Sequence, residues 1–402
     1  MDILDAYYKK TINFKYLDKN LKFKVSQALF SSHIIDSGTQ RLLRTFMGND
    51  IRFNKILDLG CGYGPIGITL KTLTPSSEVY MVDRDALALE YTRLNAKLNN
   101  VNDIRVYGSL GYDSVTEKDF DLIISNIPAK VGKNVLSHML IDAKFFIKKD
   151  GLIAIVVVDA ILEEVNQILS NPDIEIVLKK TWNGHTVFHY KFAVSTTNIN
   201  KKTNNFEMGL YDRTESSFKV FDKTATLKTT YNLSEFDEMS YETQMLSDNI
   251  KELKDKKISS CLLYNVNQGY IPVSLSLFSK VDKMIIVDKN LQSLKVTERN
   301  LISNGFSKNK IVLKHQVGIN TDEINIECII AILDDKEERD VNSILVEQII
   351  SQLSKSGVAY IVSSSNVITQ VENKIKKVKG LFILKRLKHR GVSFISFTLN
   401  NN

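Results

Sequence analysis

A chain that repeats its own pattern must fold into repeated units, and this one repeats at a shift of 205 positions. Val79-Tyr80-Met81-Val82-Asp83, followed by a helical stretch to Asn99, matches Met284-Ile285-Ile286-Val287-Asp288, followed by one to Asn304. Gly64 falls on Gly269 at the same shift. Upstream, Gly38-Thr39-Gln40-Arg41-Leu42-Leu43 is similar to Glu242-Thr243-Gln244-Met245-Leu246; downstream, residues 178–188 with Gly184 are similar to 384–395 with Gly391. The chain therefore reads as a duplicated domain, residues 1–195 and 206–402, joined by the polar run 195–205. At 402 residues it is long enough for two cores.

Within each half, short β-branched runs alternate with longer amphipathic stretches, the βαβ signature of a parallel sheet. In the first half, strands are predicted at 55–59, 78–83, 104–107, 121–125, 151–158, 174–181 and 186–192, and helices at 65–73, 85–99, 134–146 and 161–169. Only four residues separate the last two strands, so they form a hairpin. The fold class is α/β, two tandem Rossmann-like domains, each a mostly parallel seven-stranded sheet with an antiparallel edge hairpin.

The longest apolar run, 151–158, is too short to span a bilayer. The acidic start Met1-Asp2-Ile3-Leu4-Asp5 does not read as a secretory signal. Three widely spaced cysteines and six histidines offer neither a disulfide framework nor metal-ligand spacing. These features predict a cytoplasmic protein with no membrane and no metal. The net charge of +7 suits an anionic partner such as RNA.

The most informative segment is Ile56-Leu57-Asp58-Leu59-Gly60-Cys61-Gly62-Tyr63-Gly64-Pro65-Ile66-Gly67. An apolar strand runs into alternating glycines and then a helix. Glycine lets backbone turn sharply and approach a ligand without an intervening Cβ. The helix start presents unpaired N–H groups to the same crevice, at the carboxyl end of the strand. Asp83 ends the next strand and can accept hydrogen bonds from both hydroxyls of a ribose. Gly62-x-Gly64-x-x-Gly67 with Asp83 also fits a dinucleotide fingerprint. Asp58 tilts the choice away from a dinucleotide: it suits the amino group of a methionine moiety and would repel a pyrophosphate.

These residues closely resemble motif I of class I S-adenosylmethionine methyltransferases, and more narrowly the small methyltransferase domain group that includes ribosomal RNA guanine-N2 methyltransferases. Residues 30–43, with Phe30, Asp36, Gly38 and Thr39, resemble that group's entry segment. Ser125-Asn126-Ile127-Pro128-Ala129-Lys130-Val131-Gly132-Lys133 resembles its Asn-Pro-Pro catalytic loop. The late Gly184 hairpin also fits, so the resemblance runs over about residues 20–192. It implies S-adenosyl-L-methionine as cofactor, with Gly60, Gly62 and Gly64 lining its methionine end, Asp58 facing its amino group, Asp83 its ribose, and Ser109 and Asn126 also in contact. It implies that Asn126, Ile127 and Pro128 form the catalytic loop, with Asn126 on the target amine.

An exocyclic amine is a poor nucleophile because its lone pair is delocalised into the ring. The side-chain carbonyl of Asn126 and the backbone carbonyl of Ile127 would accept its two hydrogens and direct the lone pair at the methyl group, while Pro128 stiffens the loop. Ile127 and Ala129 stand where the group has a proline and often a base-stacking aromatic. Leu110 stands where an aspartate often reaches the adenine, with Asp113 nearby. In the second copy Asn265 and Asn267 replace two glycines, Leu263 replaces the acid, and Leu333-Asp334-Asp335 replaces the Asn-x-Pro loop. That copy reads as degenerate, kept either for RNA docking through Lys374, Lys376, Lys377, Lys379, Lys385, Arg386, Lys388, His389 and Arg390, or as a pseudo-dimer partner that leaves the protein monomeric. The N-terminal Lys9, Lys10, Lys15, Lys19, Lys22 and Lys24 pose the same choice, and the interleaved Phe14, Tyr16 and Phe23 read as strand core. Methylation of guanine N2 in ribosomal RNA is the expected activity. Transfer RNA or a protein glutamine as substrate, an NAD-dependent oxidoreductase and a non-enzymatic RNA-binding protein are the alternatives.

Overall fold

The structure, a computed structural model, describes residues 2–47, 53–193, 204–337 and 339–399. Of the expected linker, only Asn204 and Asn205 lie within the described residues. The chain forms two units, Tyr8–Tyr211, and Asp212–Asn402 together with Met1–Tyr7. A short helix α1 (Ile3–Ala6), capped by the Asp2 carboxylate, thus belongs with the second.

The first unit opens with a hairpin, β1 (Tyr8–Tyr16) and β2 (Lys19–Ser26). Side chains alternate across a strand, so Ile12, Tyr16, Leu21, Phe23 and Val25 are buried, and Lys15, Lys22 and the other lysines stay at least partly exposed. Then come α2 (Ser37–Arg44), β3 (Lys55–Leu59), α3 (Pro65–Leu73), β4 (Glu78–Asp83), α4 (Ala86–Leu98), β5 (Ile104–Gly108), β6 (Phe120–Asn126), α5 (Lys133–Ile141), β7 (Ile147–Val158), α6 (Leu162–Leu169), β8 (Ile174–Trp182) and β9 (His185–Phe192). The strand order is β5-β4-β3-β6-β7-β9-β8, with β9 antiparallel to both neighbours. The sheet reverses direction of winding between β3 and β6, where an α/β fold opens its ligand crevice.

Two elements differ from expectation. The helix predicted to reach 146 stops at Ile141 and tightens into a 3₁₀ turn, Asp142–Phe145. Tyr112 and Tyr190 hydroxyls donate to the carbonyls of Met139 and Leu140 (3.0 and 2.8 Å), claiming acceptors the helix would otherwise use. The strand predicted from Gly151 starts at Ile147, and a Cβ on Gly151 would lie 2.9 Å from the Phe120 carbonyl, which is why that strand can cross there.

The second unit repeats the plan: β10 (Asp212–Val220), β11 (Lys223–Thr230), α7 (Tyr241–Asn249), β12 (Lys257–Tyr264), α8 (Tyr270–Phe278), β13 (Lys280–Asp288), α9 (Leu291–Ser303), β14 (Ile311–His315), β15 (Ile326–Ile332), α10 (Arg339–Gln352), β16 (Leu353–Ser364), α11 (Ser365–Ile375), β17 (Leu381–His389) and β18 (Val392–Leu399). Its strand order, β14-β13-β12-β15-β16-β18-β17, is the same. Even the clamps correspond. Asn95 accepts from Lys24 N (2.7 Å) and donates to Tyr63 O (2.9 Å); Asn300 accepts from Lys228 N (3.0 Å) and donates to Gln268 O (2.9 Å). Each asparagine fastens a hairpin to the helix after the second parallel strand.

The segment preceding each hairpin belongs to the other unit. In the first unit Asp113 accepts from Asn205 N and Nδ2 (3.1 Å each) and from Phe206 N (3.2 Å), and Phe206 and Tyr211 are buried. In the second unit Ile3 and Tyr7 are buried, with Lys289 Nζ 5.6 Å from the Tyr7 ring centre. Among the described residues no helix is long and apolar enough to cross a membrane.

Candidate active site

The crevice is built from the ends of β3, β4 and β6. After β3, Gly60, Gly62 and Gly64 all take left-handed φ (78°, 57° and 90°), which glycine adopts without a steric penalty. Val82 O receives Gly60 N and Cys61 N (2.9 and 3.0 Å), and Asp83 Oδ2 receives Gly62 N (2.9 Å), so the loop is folded against β4. The glycines serve two purposes. A Cβ on Gly64 would lie 2.7 Å from Ile68 Cδ1, so that glycine allows close packing. A Cβ on Gly60 or Gly62 would meet nothing within 4 Å, so those two leave space in front of the loop.

Asp58, at the end of β3, is fully buried. Its Oδ2 accepts from Gly67 N at the start of α3 (2.8 Å), while Oδ1 has no partner. Burial pushes its carboxyl up to about 7, with the Gly67 N–H holding it down and the charge of Asp83 raising it further. Asp83 is only half-buried and also accepts from Asp85 N (3.0 Å). A carboxylate has about four acceptor sites, so capacity remains. The orphaned Asp58 oxygen, the open space before two glycines and the acid at the end of β4 together fit a ligand with a cationic amine and a ribose.

Beside β3, Ser125 Oγ donates to Leu59 O (2.6 Å), tying the end of β6 to the glycine loop. Asn126 follows. Its Nδ2 donates to Asp36 Oδ2 (2.8 Å) and Thr39 Oγ1 (3.0 Å). Only the NH₂ end of an amide can face a carboxylate, so these contacts fix which way Oδ1 points. Asp36 also caps α2 through Thr39 N (3.0 Å). A Cβ on Gly38 would come 2.8 Å from both Asp36 Oδ2 and His185 Cδ2, so glycine lets the cap and the β8–β9 turn close up. Ile127 is buried and donates N–H to Val156 O (3.0 Å), and Pro128 is exposed. The carbonyl of Ile127 takes no hydrogen bond among the described residues. Asp36 and Thr39 stand out in the sequence only by resemblance; the Asp-x-x-Thr spacing ahead of an amphipathic helix was the physical signal for the cap.

Other expected contacts are engaged locally. Ser109 Oγ donates to Gly111 O (2.7 Å) and accepts from Ser114 N (3.0 Å), shaping the loop after β5. Leu110 is buried and Asp113 holds Asn205 and Phe206.

At the matching place in the second unit, Asn265 and Asn267 keep left-handed φ (59° and 48°), so the turn persists without glycine. The Asn265 side chain, however, donates across to Ile332 O (3.1 Å) at the end of β15, and Lys289 pairs with Glu337. Leu263 is buried where Asp58 stands in the first unit, and Asp288 accepts from Ser293 Oγ (2.7 Å) and Val266 N (3.3 Å). Burial pushes the Asp288 carboxyl up. The basic run is partly neutralised: Lys374 pairs with Glu347, and Lys376 and Arg386 with Glu372.

Comparison with known proteins places this geometry. The family model "Methyltransferase small domain" matches residues 20–189. "Uncharacterized protein YbxB" of Bacillus subtilis is 29% identical over 150 residues, 37% of this chain and 74% of that protein. The "Ribosomal RNA small subunit methyltransferase C" of Haemophilus influenzae (strain KW20) is 36% identical over 142 residues, but the match spans only 34% of this chain and 42% of that protein. The solved T. thermophilus "16S rRNA N2 G1207 methyltransferase (RsmC) in complex with AdoMet and Guanosine" superposes with a TM-score of 0.67 over 99% of this chain and 100% of its own; at 12% identity that likeness is one of fold. The two seven-stranded sheets are the methyltransferase Rossmann-like fold in tandem. The matched residues 20–189 contain the glycine loop, Asp83 and the Asn126 loop.

Proposed function

We propose that the chain is an S-adenosylmethionine-dependent methyltransferase that methylates an exocyclic base amine, guanine N2, in ribosomal RNA. The observation that carries this reading is the Asn126 amide, locked by Asp36 and Thr39 at the end of β6 and tied through Ser125 to the glycine loop. Gly60, Gly62 and Gly64 would line the cofactor, Asp58 would meet its amino group and Asp83 its ribose hydroxyls. The bound cofactor supplies an activated methyl group on a sulfonium. The protein supplies alignment: Asn126 Oδ1 and Ile127 O accept the two amine hydrogens, and preorganised acceptors contribute most where charge develops. As nitrogen becomes cationic on methylation, the same two oxygens stabilise the N–H groups and receive the hydrogen bond of the proton that leaves to solvent. The RNA class and the base follow the resemblance to ribosomal RNA methyltransferases of this domain type. The second unit is a degenerate copy in which Asn265 and the Lys289–Glu337 pair close the crevice the first unit keeps open.

Ligand that binds only the native state raises its stability by mass action. We expect S-adenosylmethionine at concentrations well above micromolar to raise the melting temperature, NAD to leave it unchanged, and Asp83→Ala to abolish the shift. No shift with S-adenosylmethionine would remove the methyltransferase reading, and a shift with NAD would replace it with an oxidoreductase.

A further inference from the structure

The catalytic loop has Ala129, exposed, where an aromatic stacking partner for a flat substrate could stand. The structure offers one elsewhere. Between β2 and α2 the chain is pinned at two points. Tyr63, from the glycine loop, donates its hydroxyl to Ser31 O (3.4 Å), and Asp36 receives the Asn126 amide. Residues 31–36 therefore bridge the two loops that frame the crevice. At the start of this bridge a tight turn, with Ser31 at φ 58° and its Oγ donating to Ile34 O (2.6 Å), leaves two large apolar side chains in water, one just before the bridge and one within it. Phe30 is 77% exposed and Ile34 65%. Scattered apolar residues on a surface need no explanation, but two this exposed, beside and within a segment tied to both loops, do.

A cationic group is held on the same segment: Lys9 Nζ lies 3.4 Å from Ser32 Oγ and 3.1 Å from His33 Nε2. A π-face next to a lysine that can meet a phosphate is how a protein takes an unstacked nucleotide. A glutamine side chain, the other planar NH₂ donor, has neither a ring to stack nor a phosphate.

Resting on the methyltransferase reading, we propose that Phe30 and Ile34 form the platform on which the target base stacks, with Lys9 meeting its phosphate, and that the substrate is thereby a nucleotide and not a protein amide. Stacking on the exposed face of Phe30 brings the base to the mouth that Asn126 serves. The bridge, not the catalytic loop, carries substrate recognition.

The test uses the full chain and guanosine 5′-monophosphate as probe, without cofactor. In a Trp182→Phe background, Phe30→Trp is expected to show fluorescence quenching on addition of the nucleotide and none with a Gly-Gln-Gly peptide. Phe30→Ala should weaken nucleotide binding about tenfold and raise KM for RNA more than it lowers kcat, while Phe30→Tyr retains both. Lys9→Glu should weaken the nucleotide but not free guanosine. Calorimetric affinity for S-adenosylmethionine should be the same in wild type and Phe30→Ala, which a general structural defect would not allow. Unchanged nucleotide binding in Phe30→Ala, absent quenching, or quenching by the peptide alone would each overturn the platform. Absence of cofactor binding in the wild type would instead remove the methyltransferase reading, and the two failures are read in separate titrations.

Discussion

Two groups at the start of α2 hold the Asn126 amide. Asp36 takes one N–H, Thr39 Oγ1 the other, and Gly38 lets the cap approach. Asn126→Ala should lower kcat in steady-state RNA methylation assays by about 10² to 10³, as removal of a preorganised polar group typically does. Asp36→Ala should lower kcat less and also remove a helix cap, costing about 1 kcal/mol in chemical denaturation. Asp58 makes a different prediction. Its folded carboxyl titrates at about 7 because it is buried, whereas in the unfolded chain it titrates near 4. Between those values the folded protein keeps a proton that the unfolded chain has released. Stability of the ligand-free protein should therefore fall as pH rises from about 4 to 7 and level off above. Asp58→Asn should flatten that slope in melting curves, and cofactor affinity, if Asp58 meets a cationic amine, should strengthen from pH 6 to 8 in the wild type only.

Elements were legible in the sequence wherever a period was long and clean. The seven strands of the first sheet lie where β-branched runs predicted them, and the glycine loop and Asp83 stand at the strand ends that their spacing implied. What was hidden depended on partners distant in the chain. No local pattern announces that Tyr112 and Tyr190 will claim the carbonyls of Met139 and Leu140 and end α5 early. Nor does any announce that Asp113, a candidate for the adenine, is taken by Asn205 and Phe206. In the second loop the two asparagines hold the same left-handed turn, as their tolerance of such backbone angles allows, and the difference lies in where the Asn265 side chain reaches.

At the scale of the whole molecule, two sheets share one strand order, and the second belongs to the proposed degenerate copy. Titration of the full chain with S-adenosylmethionine should therefore saturate at one equivalent. Two equivalents would mean that the Asn265 bridge and the Lys289–Glu337 pair open readily and that the second unit retains cofactor binding.

The exchange of leading segments sets an order of events during synthesis. The first sheet can form as soon as its strands have left the ribosome, but Asp113 and His138 wait for Asn205, and the burial around Phe206 and Tyr211 is complete only after the joining run has emerged. Residues 2–7 wait longer still, because Ile3 and Tyr7 are buried on a unit whose strands run to Leu399. Residues 2–7, made before the unit they pack on, are thus among the last to find their place.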